Sequence, residues 1–374
     1  MIPFARILNY GNTAAPAKII KVQMDTGGFR PSLVALKSDG TLYGTGDNGS
    51  NKFLNASSEL TTWNLIHSGV KDFWSYYGGI LILTYSKQFL YCGSKFPWGS
   101  SDSTATNAWV DYTSKFGLVL DDNGIQDIQL SANSVGLLYY NTLYYIGSPN
   151  TDYSMGQHTG KTTFTSVLTS IKKFCLGTRS TAILSTANNL YACGWNGYRQ
   201  FGRPDTYIQT ITSVQSNVLD VMITYTSSTI MTTSGSFMSS GNRASGLQGD
   251  GGTANYNSVY TNITLPFGTN TNAKLYGSYS NSSGTTNGII LYNGNQFYRT
   301  GNNEYSQIGN NSTNNALTFT KALGTSVGTV DSLGSSYNGT LILNNGVLYY
   351  YGYNFAASGV SGTTIPVITQ VQGP

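Results

Sequence analysis

Seven times along the chain an apolar run is followed by a short polar turn, an aromatic-rich run and a glycine. The copies occupy 33–54, 80–99, 135–156, 181–202, 228–249, 288–309 and 340–362; TAILSTANNLYACGWNGYRQFG (181–202) is the best preserved. Their glycines are Gly46, Gly93, Gly147, Gly194, Gly241, Gly301 and Gly352, at intervals of 47, 54, 47, 47, 60 and 51 residues. Each copy predicts a β-hairpin: Asp39-Gly40, Ser234-Gly235, Asn293-Gly294 and Asn345-Gly346 sit between the runs, where a tight turn needs positive φ. The glycine closing the second strand suits a conformation or close approach that a Cβ would block. A further strand precedes each hairpin, as in VKDFW (70–74), IQDIQ (125–129), IKKFC (171–175) and VLDVM (218–222), and a weaker one follows it. Helical repeats would show a 3.6-residue period, which is absent. Four strands every 51 residues or so predict the blades of a β-propeller.

Composition agrees. Only 10% of the 374 residues are charged, against about 25% in ordinary domains, yet there are 44 Gly and 28 Tyr. That is an all-β composition, strand formers plus turn formers, and the opposite of a disordered chain. The net charge of +4 comes without any basic run, so nucleic acid is not an expected partner. The N-terminus has no continuous apolar stretch of a secretory signal, and no run reaches the roughly 18 apolar residues of a membrane span. Neither membrane insertion nor export is expected, and synthesis in a cytoplasm is.

The blade endings carry a resemblance. Apolar strand, polar-Gly turn, Leu-Tyr, then Gly-x-Asn-x-x-x-Gln-apolar-Gly is similar to the repeat of the regulator of chromosome condensation family. Gly194, Asn196, Gln200, Phe201 and Gly202 fit its tail, as do Gly301, Asn303, Gln307, Ile308 and Gly309. Gly46/Asn48 and Gly352/Asn354 fit its first half, while copies two, three and five are degenerate beyond their glycine. The family often carries Trp before that glycine; here the position holds Thr45, Cys92, Ile146, Cys193, Ser240, Thr300 and Tyr351. The resemblance covers 18–374 and implies an all-β, seven-bladed propeller of four-stranded blades. Residues 1–16 are read as an N-terminal arm and 17–374 as one propeller. The chain begins its repeats with AKIIKVQM (17–24) and ends with IPVITQV (365–371), so closure is expected from pairing of the two terminal strands within one blade, which removes free sheet edges.

Candidate chemistry is sparse. A slot that accepts Thr, Cys, Ile, Ser and Tyr is a packing position, so Cys92 and Cys193 read as buried, reduced thiols, as does Cys175. Three Cys suggest neither a disulfide framework nor a zinc site. Counting back 20 or 21 residues from the blade glycine finds Asp72, Asp127, Asp220 and Asp331, with Lys173 in copy four and Ser280 in copy six. These carboxylates are candidates for a channel lining or, alternatively, caps on backbone turns. With two Glu and two His (His67, His158) and no attached nucleophile motif, nothing points to hydrolytic chemistry. No catalytic residues, metal site or cofactor are assigned. The two stretched intervals hold FPWGSSDSTATNAWVDY (96–112) and GDGGTANYNSVYTNITLPFG (249–268). Their Trp98, Trp109, Tyr112, Tyr256 and Tyr260 are candidate binding residues, because aromatics among Ser, Gly, Asn and Thr suit adaptable recognition.

The function expected from this style of sequence is a non-enzymatic structural or binding propeller of a virus particle: a bacteriophage tail, collar or capsid accessory protein. Its partners would be other virion proteins or a host-surface receptor, with several copies per particle or a homo-oligomer. The alternative is a protein–protein interaction propeller, inhibitor-like or GTPase-regulator-like; a glycan-active enzyme ranks below both.

Overall fold

In a computed structural model of the chain, the described residues are 15–25, 31–54, 57–76, 78–94, 106–119, 121–131, 134–147, 155–156, 160–177, 179–253, 256–277, 289–336 and 338–374. They form seven four-stranded antiparallel sheets, each with its strands in chain order. Blade 1 consists of Ile19–Asp25, Ser32–Lys37, Leu42–Asp47 and Glu59–His67. Blades 2 to 7 span 70–111, 125–168, 171–215, 218–263, 274–321 and 332–371. The first strands of blades 1 to 6 lie against one another in succession, and that of blade 7 lies against that of blade 1, while blades 6 and 7 share an apolar cluster. The first strands therefore line the centre of a closed ring. Of the segment 1–16, residues 1–14 lie outside the described residues. Among the described residues the only helices are short 3₁₀ turns.

Ring closure differs from expectation. The C-terminal strand Thr364–Val371 pairs with Val347–Tyr353 of its own blade, not with the N-terminal strands. The reason is phase: Ile19–Asp25 pairs with Ser32–Lys37 as the first strand of blade 1, so seven complete blades are built and none lacks a strand. Side chains close the seam instead. Ser332 Oγ donates to Val22 O at 2.9 Å and accepts from Val22 N at 3.2 Å. Ile19, Val22, Met24 and Leu33 share one apolar cluster with Leu341, Leu343, Tyr350 and Ile365. Trp63 Nε1 adds a bond to Gln372 O at 3.1 Å.

Hairpin turns follow the sequence with one shift. In copy six the positive-φ pair is Gly294-Asn295 (φ 50° and 72°) rather than Asn293-Gly294, because Asn293 pairs with Gln296. The blade-ending glycine needs both freedoms at once. Gly194 has φ 101°, and a Cβ there would strike the carbonyl oxygen of Arg179, across the sheet.

Beyond that glycine a buried asparagine organises the loop. Asn196 Oδ1 accepts from Phe201 N (3.0 Å), and its Nδ2 donates to the carbonyls of Arg203 (3.1 Å) and Asp205 (2.7 Å). Asn303 repeats this with Ile308 N and Ser312 O, Asn48 with Phe53 N and Ser57 O. Each carboxamide thus supplies the partners that buried loop amides require. The slot before the glycine is fully buried in all seven blades. Cys92 Sγ there donates to Asn51 O and Ser240 Oγ to Arg199 O (2.7 Å), tying each blade to the loop of the one before. Between blades 6 and 7 the buried Arg299 donates to Gln307 O (2.9 Å), Thr340 Oγ1 (3.1 Å) and Ser336 O (3.0 Å).

These geometries separate two kinds of glycine. Gly194→Ala combines a left-handed backbone, costing about 1–2 kcal/mol, with an overpacked carbonyl contact, costing about 1–3 kcal/mol. Gly294 faces open space, so Gly294→Ala carries only the backbone cost. Urea unfolding should therefore show Gly194→Ala losing about 1–3 kcal/mol more stability than Gly294→Ala.

Candidate functional site

Two regions gather polar or aromatic side chains: the central channel and the face carrying the blade-ending loops. In the channel, a single register position recurs. Lys21, Asp72, Asp127, Lys173 and Asp220 pair with Leu36, Leu83, Leu138, Leu184 and Met231, so they are equivalent across five blades. In blades 2 and 5 the pairing slips just before the aspartate, and its Oδ1 accepts the next backbone N–H: Phe73 N at 2.7 Å and Val221 N at 2.8 Å. A lysine of the preceding blade completes each site. Lys21 Nζ lies 2.6 Å from Asp72 Oδ1, and Lys173 Nζ 2.6 Å from Asp220 Oδ1. The pairs are partly exposed, so they fix neighbouring blades in register more than they stabilise.

Two glutamines extend this collar. Gln23 Oε1 accepts from Ser75 N (2.6 Å), Gln129 Oε1 from Leu176 N (2.7 Å), and Gln129 Nε2 donates to Phe174 O (2.9 Å) and Asp127 Oδ2 (2.7 Å). Asp127 has no lysine in contact. Burial pushes its carboxyl up to about 6, against the pull of the Gln129 amide and the more distant Lys21 and Lys173. Burial pulls the Lys173 ammonium down, but Asp220, Cys175 and Asp127 together outweigh it and the net shift is upward.

Two positions reached by counting are corrected. Asp331 is exposed and caps a hairpin turn, accepting from Asn345 N at 2.5 Å; Ser332 holds the channel register, opposite Leu343. The hairpin of blade 7 has a two-residue turn, which shortens the count by one. In blade 6 the register falls on Lys274, opposite Tyr292, because extra residues separate the first two strands; Ser280 lies outside the described residues.

The loop aromatics divide. Trp98 lies outside the described residues. Trp109 packs edge-on against His67 (5.2 Å) and donates Nε1 to Ile66 O (3.2 Å), bridging blades 2 and 1. Tyr112 packs edge-on against Tyr91. Tyr260 shares a 2.8 Å hydroxyl bond with Ser228, and its ring covers Gly202. Of the described four, Tyr256 alone is exposed, at 47%, with the Arg199 guanidinium 6.0 Å from its ring. His158 is also outside the described residues.

Loop length did not signal a cluster that spans blades 4 and 5. Arg179 stacks on Trp195 at 4.6 Å and donates to Tyr225 Oη at 3.3 Å; Trp195 also meets Tyr198 (5.2 Å) and Tyr225 (5.3 Å). Its sequence signal is position: Trp195 directly follows a blade glycine, where the strand emerges on the loop face. The three cysteines are buried thiols, and burial pushes Cys92 and Cys193 up to about 12. Among the described residues no three His, Cys, Asp or Glu are grouped to hold a metal, and no helix is long and apolar enough to cross a membrane.

No protein-family model matches the chain, and no curated protein matches it significantly. Solved structures do. Prp20p from Saccharomyces cerevisiae superposes with a TM-score of 0.71 at 13% identity, over 90% of this chain and 87% of that one. Human WBSCR16 gives 0.67 at 12%, over 88% and 87%. Yeast RCC1 (Prp20) bound to Kap60 gives 0.69 at 13%, over 88% and 83%. The structural neighbours are RCC1-like seven-bladed β-propellers. At these identities the likeness is one of fold.

Asp127 makes stability depend on pH. Its folded pKa of about 6 lies above the ordinary 3.8, so the folded state holds the proton more tightly and stability falls as pH rises from 4 through 6. Asp127→Asn removes that loss. Allowing for water in the channel, the variant should gain about 1–2 kcal/mol at pH 7 and nothing at pH 4, measured by urea unfolding at both.

Proposed function

We propose that the chain is a non-enzymatic, protein-binding propeller whose loop face at blades 4 and 5 engages a partner protein. The observation that carries this reading is the cluster of Arg179, Trp195, Tyr198 and Tyr225, together with Arg199, which follows Tyr198 in the chain and lies over the ring of the exposed Tyr256. Aromatic and arginine side chains on a rigid scaffold are the residue types that anchor protein interfaces. One Nη of Arg199 is buried without a hydrogen-bond partner, an unsatisfied donor in the arginine that lies over Tyr256.

The neighbours favour this alternative over the virion reading. Prp20p is described with its binding to Gsp1p and histones, and yeast RCC1 in complex with Kap60; nothing in the comparisons supports a phage particle, a virion partner or a host receptor. Protein binding by this chain is inferred from that kinship of fold together with the cluster.

The test is cross-linking mass spectrometry of the tagged chain in its native cell, followed by affinity measurement with the captured protein. Cross-links should map to blades 4 and 5, and a Trp195→Ala/Tyr256→Ala variant, confirmed folded by its unfolding curve, should bind at least tenfold more weakly, as loss of an interface anchor does. Undiminished binding by the variant would overturn the assignment of this face.

A further inference from the structure

Within the central channel a cavity of about 190 Å³ opens between blades 1, 2, 3, 6 and 7. Its polar lining includes Gln23, Ser75, Asp127, Gln129 and Ser335; Trp74 and Leu333 contribute apolar wall. Three features of this lining are unaccounted for by the fold.

The first is Asp127. Asp72 and Asp220, its equivalents at the same register, each contact a lysine, whereas among the described residues Asp127 is held by the uncharged Gln129 amide and the Ile128 backbone N–H. The second is a pair of hydroxyls. Ser75 Oγ and Ser335 Oγ are buried without a hydrogen-bond partner, and Ser335 is only 8% exposed. Buried polar atoms without partners are rare and call for a specific explanation. The third is shape: the cavity has space for roughly six waters, more than a bare metal ion needs, and one side of it is apolar.

We propose that this cavity binds a small organic cation with a primary ammonium group and a short alkyl body, Asp127 supplying the counter-charge. A carboxylate and two serine hydroxyls are acceptors for the three N–H donors of an ammonium, and charge-assisted bonds of this kind are the strong ones. The apolar wall takes the carbon chain. An anion would meet the Asp127 charge, and a neutral alcohol would leave it unpaired. The site is independent of the loop-face interface.

Calorimetric titration with n-butylammonium chloride tests this, with 1-butanol and KCl as controls. At pH 8 wild-type protein should bind butylammonium and respond to neither control. Asp127→Asn, itself expected to fold stably, should weaken binding at least tenfold, and Ser335→Ala should weaken it severalfold. Binding should also fall at least tenfold at pH 4.5, where Asp127 is protonated. Among the described residues the other charged or titratable groups around the channel are Lys21, Asp72, Tyr76, Lys173, Asp220, Tyr276 and the exposed Lys274; the Asp127→Asn variant isolates Asp127 from them. Equal binding of 1-butanol would show apolar filling, an equal response to KCl would show general ionic screening, and unchanged affinity in Asp127→Asn would remove the counter-charge. Any of these overturns the proposal.

Discussion

A buried asparagine carboxamide holds each well-preserved blade end, and the ring depends on it. At Asn196 one side chain satisfies the amide of Phe201 and the carbonyls of Arg203 and Asp205. The loop is thereby fixed with Arg199 in a left-handed conformation, φ 61°, and its carbonyl directed at Ser240 of the next blade. Asn51, φ 56°, presents its carbonyl to Cys92 in the same way. The end of one blade is thus the docking surface of the next. Because backbone polarity is satisfied within the loops, the described residues of a chain with few charges pack into a ring without sheet pairing across the seam.

Periodicity made most of this legible. The glycines mark the strand ends because only a residue without Cβ passes the facing carbonyl, a constraint that repeats with the blade. What escaped is local. Copies three and five were read as degenerate, yet Met155-Gly156 and Gln248-Gly249 return the loop with positive-φ glycines, Met155 and Gln248 fully buried. Gly156 stands nine residues past its blade glycine against eight for Gly202, and Gln248 seven against six for Gln200, and a fixed-spacing motif cannot see that. The terminal clasp failed for a related reason: a lone strand at each end fits either a shared blade or two complete ones, and only the pairing of Ile19–Asp25 decides.

The channel shows how far counting carries. Distance from the glycine finds the inner register in blades 2, 3, 4 and 5, where turn length is accounted for by one residue. It misses in blade 7, where the turn has two residues, and in blade 6, where a loop intervenes. Trp195 was visible as a residue but not as a partner, since Arg179 and Tyr225 come from loops 16 and 30 residues away.

Most polar side chains of the inner strands are consumed by the ring itself. Lys21, Asp72, Lys173, Asp220, Gln23 and Ser332 each bond across a blade boundary, so their recurrence reflects assembly rather than chemistry. That separates structural polarity from the remainder on physical grounds. Asp127 occupies the same register with no lysine, Ser335 is buried with no partner, and Arg199 keeps one guanidinium nitrogen unbonded. A buried charge or donor left in that state costs free energy in the isolated protein. A bound cation or partner protein would offset that cost, so the positions where the repeat's polar pattern is left incomplete are where recognition is to be sought.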